Sequence, residues 1–90
     1  MEFEWDPQKA GANLLKHQVT FQEAASVFGD RQAITFADPD HSSNENRHIT
    51  FGHSQNNRLL VVSHTERAGR TRIISARLMT RKERKIYEEG

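Results

Sequence analysis

Cysteine is absent from the chain, so no disulfide framework and no thiolate-bound metal is available. That absence suits a reducing compartment, and a cytoplasmic location is the expectation. No apolar run approaches the length of a membrane span, and the opening residues MEFEWD are acidic where a secretory leader would be basic. A soluble protein with no membrane association is therefore expected. Hydrophobic residues are also scarce, at 34% against 28% charged, which is low for an enzyme core yet above what a disordered chain shows. Ninety residues can support one modest core and no more, so a single domain over residues 1–90 without an internal linker is expected.

What the chain does have is charge, unevenly placed. The net charge of +1 conceals a C-terminal block, residues 58–85, with nine Lys/Arg against two acids, whereas residues 1–57 carry four against eight. A cationic block on a folded surface attracts nucleic acid, and it attracts acidic proteins equally well. The block contains the most β-prone stretch of the sequence, RLLVVSHTERAGRTRIISARLM from Arg58 to Met79. Two β-branched runs flank Ala68-Gly69, which predicts an antiparallel hairpin at the centre of a sheet. A two-residue loop would set Arg67 opposite Arg70 as a like-charge pair. A three-residue loop, Ala68 to Arg70, pairs Arg67 with Thr71 and Glu66 with Arg72, and is the preferred register. It places Thr65, Arg67, Ile73, Ser75 and Arg77 with Leu59, Val61 and Ser63 on one face, and Leu60, Val62, His64, Ile74 and Ala76 on the other. The plain alternative for any of these arginines is a solvated rim charge that discourages edge pairing.

Taken in order, Phe3 and Trp5 alternate with Glu2 and Glu4 as a short strand with its aromatics inward. Asp6-Pro7 opens a helix to about His17, with a thin apolar stripe. His17 sits where the helix dipole favours a cation, as a cap or as a chemical group. Thr20-x-x-Glu23 reads as a capping box for a second helix whose core face is Phe21, Ala24, Ala25 and Phe28, stopped by a left-handed Gly29. Residues 33–37 form a strand, and the polar run from Asp38 to Asn46 a loop. Asp38, Asp40, His41 and Glu45 are oxygen and imidazole groups close in sequence, but their spacing matches no metal loop, and no metal or cofactor is expected. From Glu45 to His53 the alternation returns, with Glu45, Arg47, Ile49 and Phe51 on one face, and Asn56-Asn57 supplies a tight turn. Thr80-x-x-Glu83 caps a terminal helix to about Glu89. Its sizeable apolar side chains are Ile86 and Tyr87, so it should fray or await a partner. Tyr87 reads as a hydrophobic peg, or else as a phenol reaching the cationic face.

The combination of Trp5-Asp6, Lys16-His17, Asp30, His41-Ser42, Glu45, Arg47, Gly52, Thr65, Arg67, the run Arg72-Ile73-Ile74-Ser75-Ala76-Arg77, Glu83-Arg84 and Tyr87 resembles the BrnT family of bacterial toxins over nearly the whole chain. Gln18, where the family commonly has glycine, and Asn56-Asn57, where it has an Asp-Gly-like turn, depart mildly. The resemblance implies an α+β, RelE-like fold, an antiparallel β-sheet with two N-terminal helices and a short C-terminal helix, in the order β-α-α-β-β-β-β-α. It also implies a ribonuclease that arrests translation, held by a BrnA-like antitoxin whose ribbon-helix-helix segment binds operator DNA. Metal-free RNA cleavage needs a base for the 2′-OH, an acid for the leaving 5′-oxygen and cations for the phosphorane. Arg67 and Arg77 are the first choice for the phosphate clamp, with Arg47 joining them, because arginine stays charged and grips two oxygens at once. Glu45, His17, Lys16 and Tyr87 have groups suited to proton transfer. Lys16, Arg72, Arg81 and Arg84 are candidates to bind the RNA backbone. The rival reading is a non-catalytic basic module for nucleic acid or an acidic protein.

Overall fold

The computed structural model describes residues 1–38 and 46–90. Its elements run β1 (Phe3–Glu4), α1 (Pro7–His17), α2 (Phe21–Ser26), a 3-10 turn (Val27–Gly29), β2 (Ile34–Ala37), β3 (Arg47–His53), β4 (Leu59–Arg67), β5 (Arg70–Leu78) and α3 (Arg81–Glu89). One five-stranded sheet has the order β1-β5-β4-β3-β2. The expectation of a wholly antiparallel sheet is corrected at one edge, where β1 runs parallel to β5 with Phe3 opposite Thr71. Both N-terminal helices and the strands β2–β4 lie between β1 and β5, a connection long enough for a parallel return.

Those helices cover one face. Val19, Phe21, Ala24 and Val27 meet Leu60, Val62, Ile73 and Ala76 in a dry core, with Phe3 and Trp5 packed against it. Phe3 lies against Phe28 with ring centres 5.3 Å apart, and Trp5 is edge-on to Phe21 at 6.0 Å, so the expected inward aromatics are in place. The opposite face holds a smaller cluster of Phe51, Val61 and Met79, with Ile49, Leu59 and Tyr87 beside it.

The central hairpin turns through two residues rather than three. Ala68 (φ 53°) and Gly69 (φ 79°) both take left-handed conformations, and Arg67 pairs with Arg70. Such a turn matches the natural twist of the strands. The like-charge cost that disfavoured it is offset because Arg70 turns to Glu2 at 3.2 Å and Glu4 at 3.8 Å. A bulge between Ser63 and His64 then absorbs one residue of β5, so Ser63–Ser75, Val62–Ala76 and Val61–Arg77 pair as a three-residue loop would have required. Ile73 is thereby moved from the face of Ser75 and Arg77, where it was expected, into the helix-side core.

The local chemistry of the helices differs from expectation in four places. The buried residue of α1 is Asn13, while Leu14 and Leu15 are exposed. Glu23 does not close a capping box: Thr20 accepts from its N–H at 3.0 Å, but its buried carboxylate goes to Arg58 and Ser54. Gly29 is not left-handed, since α2 tightens into the 3-10 turn instead. The terminal helix, expected to fray, is tied at both ends. Thr80 and Glu83 form a full capping box, Arg77 grips Glu83, and the Tyr87 phenol donates to Asp30 at 2.6 Å.

Candidate functional site

Asp6 caps α1 by accepting from the Gln8 N–H at 2.8 Å, and the helix is seated by its one buried amide. The Nδ2 of Asn13 donates to the carbonyls of Val19 (3.0 Å) and Ala76 (2.9 Å), and its Oδ1 accepts from the Ala76 N–H at 3.1 Å. The helix therefore ends beside the last residues of β5. Gln18, at φ 60°, closes it in the left-handed conformation that favours glycine.

This seating makes an open cleft of about 490 Å³ lined by Lys16, His17, Gln18, Arg77, Leu78 and Thr80. An ammonium, an imidazole and a guanidinium thus converge from the end of one helix and one strand. Arg77 is held by two parallel bonds to Glu83, Nη1 to Oε1 at 2.7 Å and Nη2 to Oε2 at 2.9 Å, while Oε1 also accepts from the Thr80 N–H at 2.8 Å. Arg77's hydrogen bonds hold the Glu83 carboxyl down at about 2, and the pairing raises the Arg77 guanidinium in turn. A fork-to-fork pair of this kind fixes the plane of the guanidinium and thereby its remaining donor edge. Arg81 and Arg84 follow on the first turn of α3.

The other predicted arginines lie elsewhere. Arg77 pairs with Val61, six residues up β4 from Arg67, a separation of roughly 20 Å at ~3.3 Å per residue. A single-phosphate clamp built from Arg67 and Arg77 is thereby corrected: they share a sheet face but stand at opposite ends of it. Arg67 is at the hairpin tip, Arg47 pairs with Thr65 on the adjoining strand, and Arg72 is tied to Glu4 at 3.0 Å. The acidic N-terminal strand thus offsets part of the cationic block. Between the two ends the floor of the face is the half-buried Ser63–Ser75 pair.

Tyr87 does not reach the arginines. It is both peg and donor, packed beside Phe51 and bonded to Asp30, and burial followed by that carboxylate pushes its phenol up to about 12. Burial works to raise Asp30, but it is outweighed by the hydrogen bonds from Tyr87, Gln32 and His53, so that carboxyl is lowered. Glu45, Asp40 and His41 lie outside the described residues. Asp38 is buried, its N–H donating to the Arg47 carbonyl at 2.9 Å. Among the described residues no group of three or more His, Asp and Glu is placed to hold a metal. No described helix is long and apolar enough to cross a membrane.

The sequence reading missed the pairings that organise the site. Glu83 and Glu23 both read as caps, and each grips an arginine of another element, Glu83 the Arg77 six residues back and Glu23 the Arg58 thirty-five residues on. Glu23 accepts from Arg58 Nε at 2.9 Å, and those hydrogen bonds keep its carboxyl below the usual range despite burial. A capping glutamate at a position facing the sheet was the available signal. His64, on the helix side, bonds Thr50 at 2.7 Å and stacks on His48, and burial lowers it to about 4.

Comparison with known proteins agrees with this architecture. The fold matches the crystal structure of the Brucella abortus ribonuclease toxin BrnT with a TM-score of 0.69 and 19% identity, covering 90% of this chain and 99% of that one. No curated protein matches the sequence. Residues 5–83 match the family described as the ribonuclease toxin, BrnT, of type II toxin-antitoxin systems. That match spans most of the chain, from Trp5 at the aromatic edge of the core to Glu83 beneath Arg77, and the chain belongs to the BrnT family of ribonuclease toxins.

Proposed function

We propose that this chain, acting as one domain with a RelE-like architecture, is a cytoplasmic toxin that cleaves RNA without a metal ion and so arrests translation. Its partner is a BrnA-like antitoxin, which neutralises it and holds operator DNA through a ribbon-helix-helix segment. The observation that carries the catalytic part is the convergence of Lys16, His17 and Arg77 on one open cleft, with Arg77 oriented by Glu83.

In this reading the His17 imidazole takes the 2′-OH proton, and the Lys16 ammonium protonates the leaving 5′-oxygen. The free donor edge of Arg77 faces the phosphorane, where a preoriented cation has its largest effect. Arg81 and Arg84 hold the backbone on the α3 side. Arg67, about 20 Å away, and Arg47 and Arg72 towards the same end of the sheet grip phosphates further along the strand rather than the scissile one. Tyr87, bonded to Asp30, takes no part in proton transfer, and Glu45 stays a candidate for it.

The test is cleavage of single-stranded RNA in excess EDTA, alongside thermal melts. Arg77→Ala should lower the cleavage rate by ~10²- to 10³-fold, the range for losing one oxyanion donor, and Arg77→Lys should rescue it partly. Arg67→Ala should weaken RNA binding and leave the rate at saturating RNA close to wild type. Wild-type cleavage by a folded Arg77→Ala would remove the site assignment. RNA binding without cleavage by the wild-type chain would favour the non-catalytic module.

A further inference from the structure

The outer edge of β5 is used unevenly. β1 pairs with it at Thr71 and Arg72 only. At Ala76 the side-chain amide of Asn13 makes the donor and acceptor bonds that an adjoining strand would make. Main-chain groups alternate in direction along a strand. The Met79 N–H goes inward to the Leu59 carbonyl, so Leu78, two residues beyond Ala76, turns its main-chain groups to the outer edge, where its carbonyl accepts from Arg77 Nη1 at 3.2 Å and its N–H faces outward. Its side chain is 50% exposed. Leu78 also forms the ridge between two clefts. Lys16, His17 and Arg77 line the first, and Arg58, Asn57 and Arg84 line the second, of about 290 Å³. Neither lining includes a carboxylate among the described residues. Arg58 and Arg77 are already paired with Glu23 and Glu83, whereas Lys16 and Arg84 have no ion-pair partner among the described residues.

We propose that the β5 edge at Leu78 receives a short, acidic, extended segment of the antitoxin. Its backbone carbonyl accepts from the Leu78 N–H, and carboxylates on two successive residues enter the two clefts, against Lys16 on one side and Arg84 on the other. An added strand sends successive side chains to opposite faces, which is the arrangement the two clefts provide for. A protein segment fits better than RNA, because RNA offers no peptide groups to the open edge and no apolar side chain to cover Leu78. The identity of the partner rests on the toxin reading above; the chemistry of the strip does not.

The experiment selects peptides from a random library displayed on phage against the folded chain, then maps amide hydrogen exchange with a selected peptide bound. Enriched peptides should carry carboxylates on successive residues and slow exchange at the Leu78 amide. Lys16→Glu and Arg84→Glu should each weaken the peptide about tenfold, as expected for losing a charge-assisted bond. Leu78→Pro, which removes the edge donor without touching the β4 ladder, should abolish binding. The two charge reversals keep the test decisive if the proline variant fails to fold. Failure to enrich acidic peptides, protection that maps to β2 or the hairpin tip, or unchanged affinity in both reversals would overturn the proposal. A chain that cuts RNA but takes no acidic peptide defeats this inference and leaves the ribonuclease reading standing; one that takes the peptide but cuts no RNA does the reverse.

Discussion

Replacing Asn13 by alanine removes the group that seats α1 on the sheet, and its cost follows from the structure. The residue is 7% exposed and makes three hydrogen bonds of 2.9 to 3.1 Å, so truncation strands the N–H and C=O of Ala76 and the C=O of Val19. Each stranded buried group costs ~1–3 kcal/mol. Water reaching the open side of β5 relieves part of this, which leaves a net loss of about 3–4 kcal/mol. That is a large share of the ~5–15 kcal/mol typical of such a domain. At ~4–8 °C per kcal/mol for a chain of this size, the melting temperature should fall by more than ~10 °C. Urea titration gives the same quantity as a shift in midpoint at constant slope, and amide exchange at Ala76 should speed up in step. Asn13→Asp is the companion: it keeps the acceptor for the Ala76 N–H but sets a carboxylate against two carbonyls. Its folded pKa should therefore exceed its unfolded one, and it should recover stability relative to Asn13→Ala as pH falls below the folded value. A loss under ~1 kcal/mol for Asn13→Ala, with the slope unchanged, would show that the amide does not stand in for a strand.

Three further outcomes are expected. Ala68→Asn should stabilise the fold by about 0.5–1 kcal/mol, read as a raised urea midpoint at constant slope, because Ala68 occupies a left-handed position that asparagine tolerates better. Gly52→Ala should cost about 1–3 kcal/mol by thermal melt, since its methyl would stand 2.5 Å from Val27 Cγ1 in the packed core. The pH dependence has two windows, both readable from melts at stepped pH. His64 is held at about 4 against 6.5 when unfolded, so the unfolded chain takes up a proton first and stability falls as pH drops from 6.5 towards 4. His64→Phe should flatten that window. Glu83, at about 2 against 4.5, contributes stability that is complete above 4.5 and lost as pH falls towards 2; Glu83→Gln should remove that part of the acid sensitivity.

Local chemistry was legible in the residues themselves. Asp6-Pro7 set the start of α1, Thr80-x-x-Glu83 the start of α3, and the alternation around Leu60, Val62 and Ala76 their common burial. These are short-range matters of capping and period, and the physics that decides them lies within a turn or a strand. The family was legible too, through a combination of short motifs that the match over residues 5–83 bears out.

Only tertiary structure settled the rest. Whether the hairpin turned through two residues or three depended on Glu2 and Glu4, nearly seventy positions away, drawing Arg70 from Arg67. The bulge that moved Ile73 into the core answers to packing under α1 and α2, and nothing in the period-two pattern announces it. Asn13 read as one polar residue on a helix, and its role exists only because the edge of β5 passes beside it. Arg67 and Arg77 looked equivalent in the alternation, yet the length of the strand sets them apart, and only Arg77 meets the end of α1. Alternation records which face a side chain takes and carries no information on how far along that face it stands. Lys16, His17 and Arg77 were brought together by a helix docking on a strand edge, which involves hydrogen bonds between residues sixty-three positions apart in the chain.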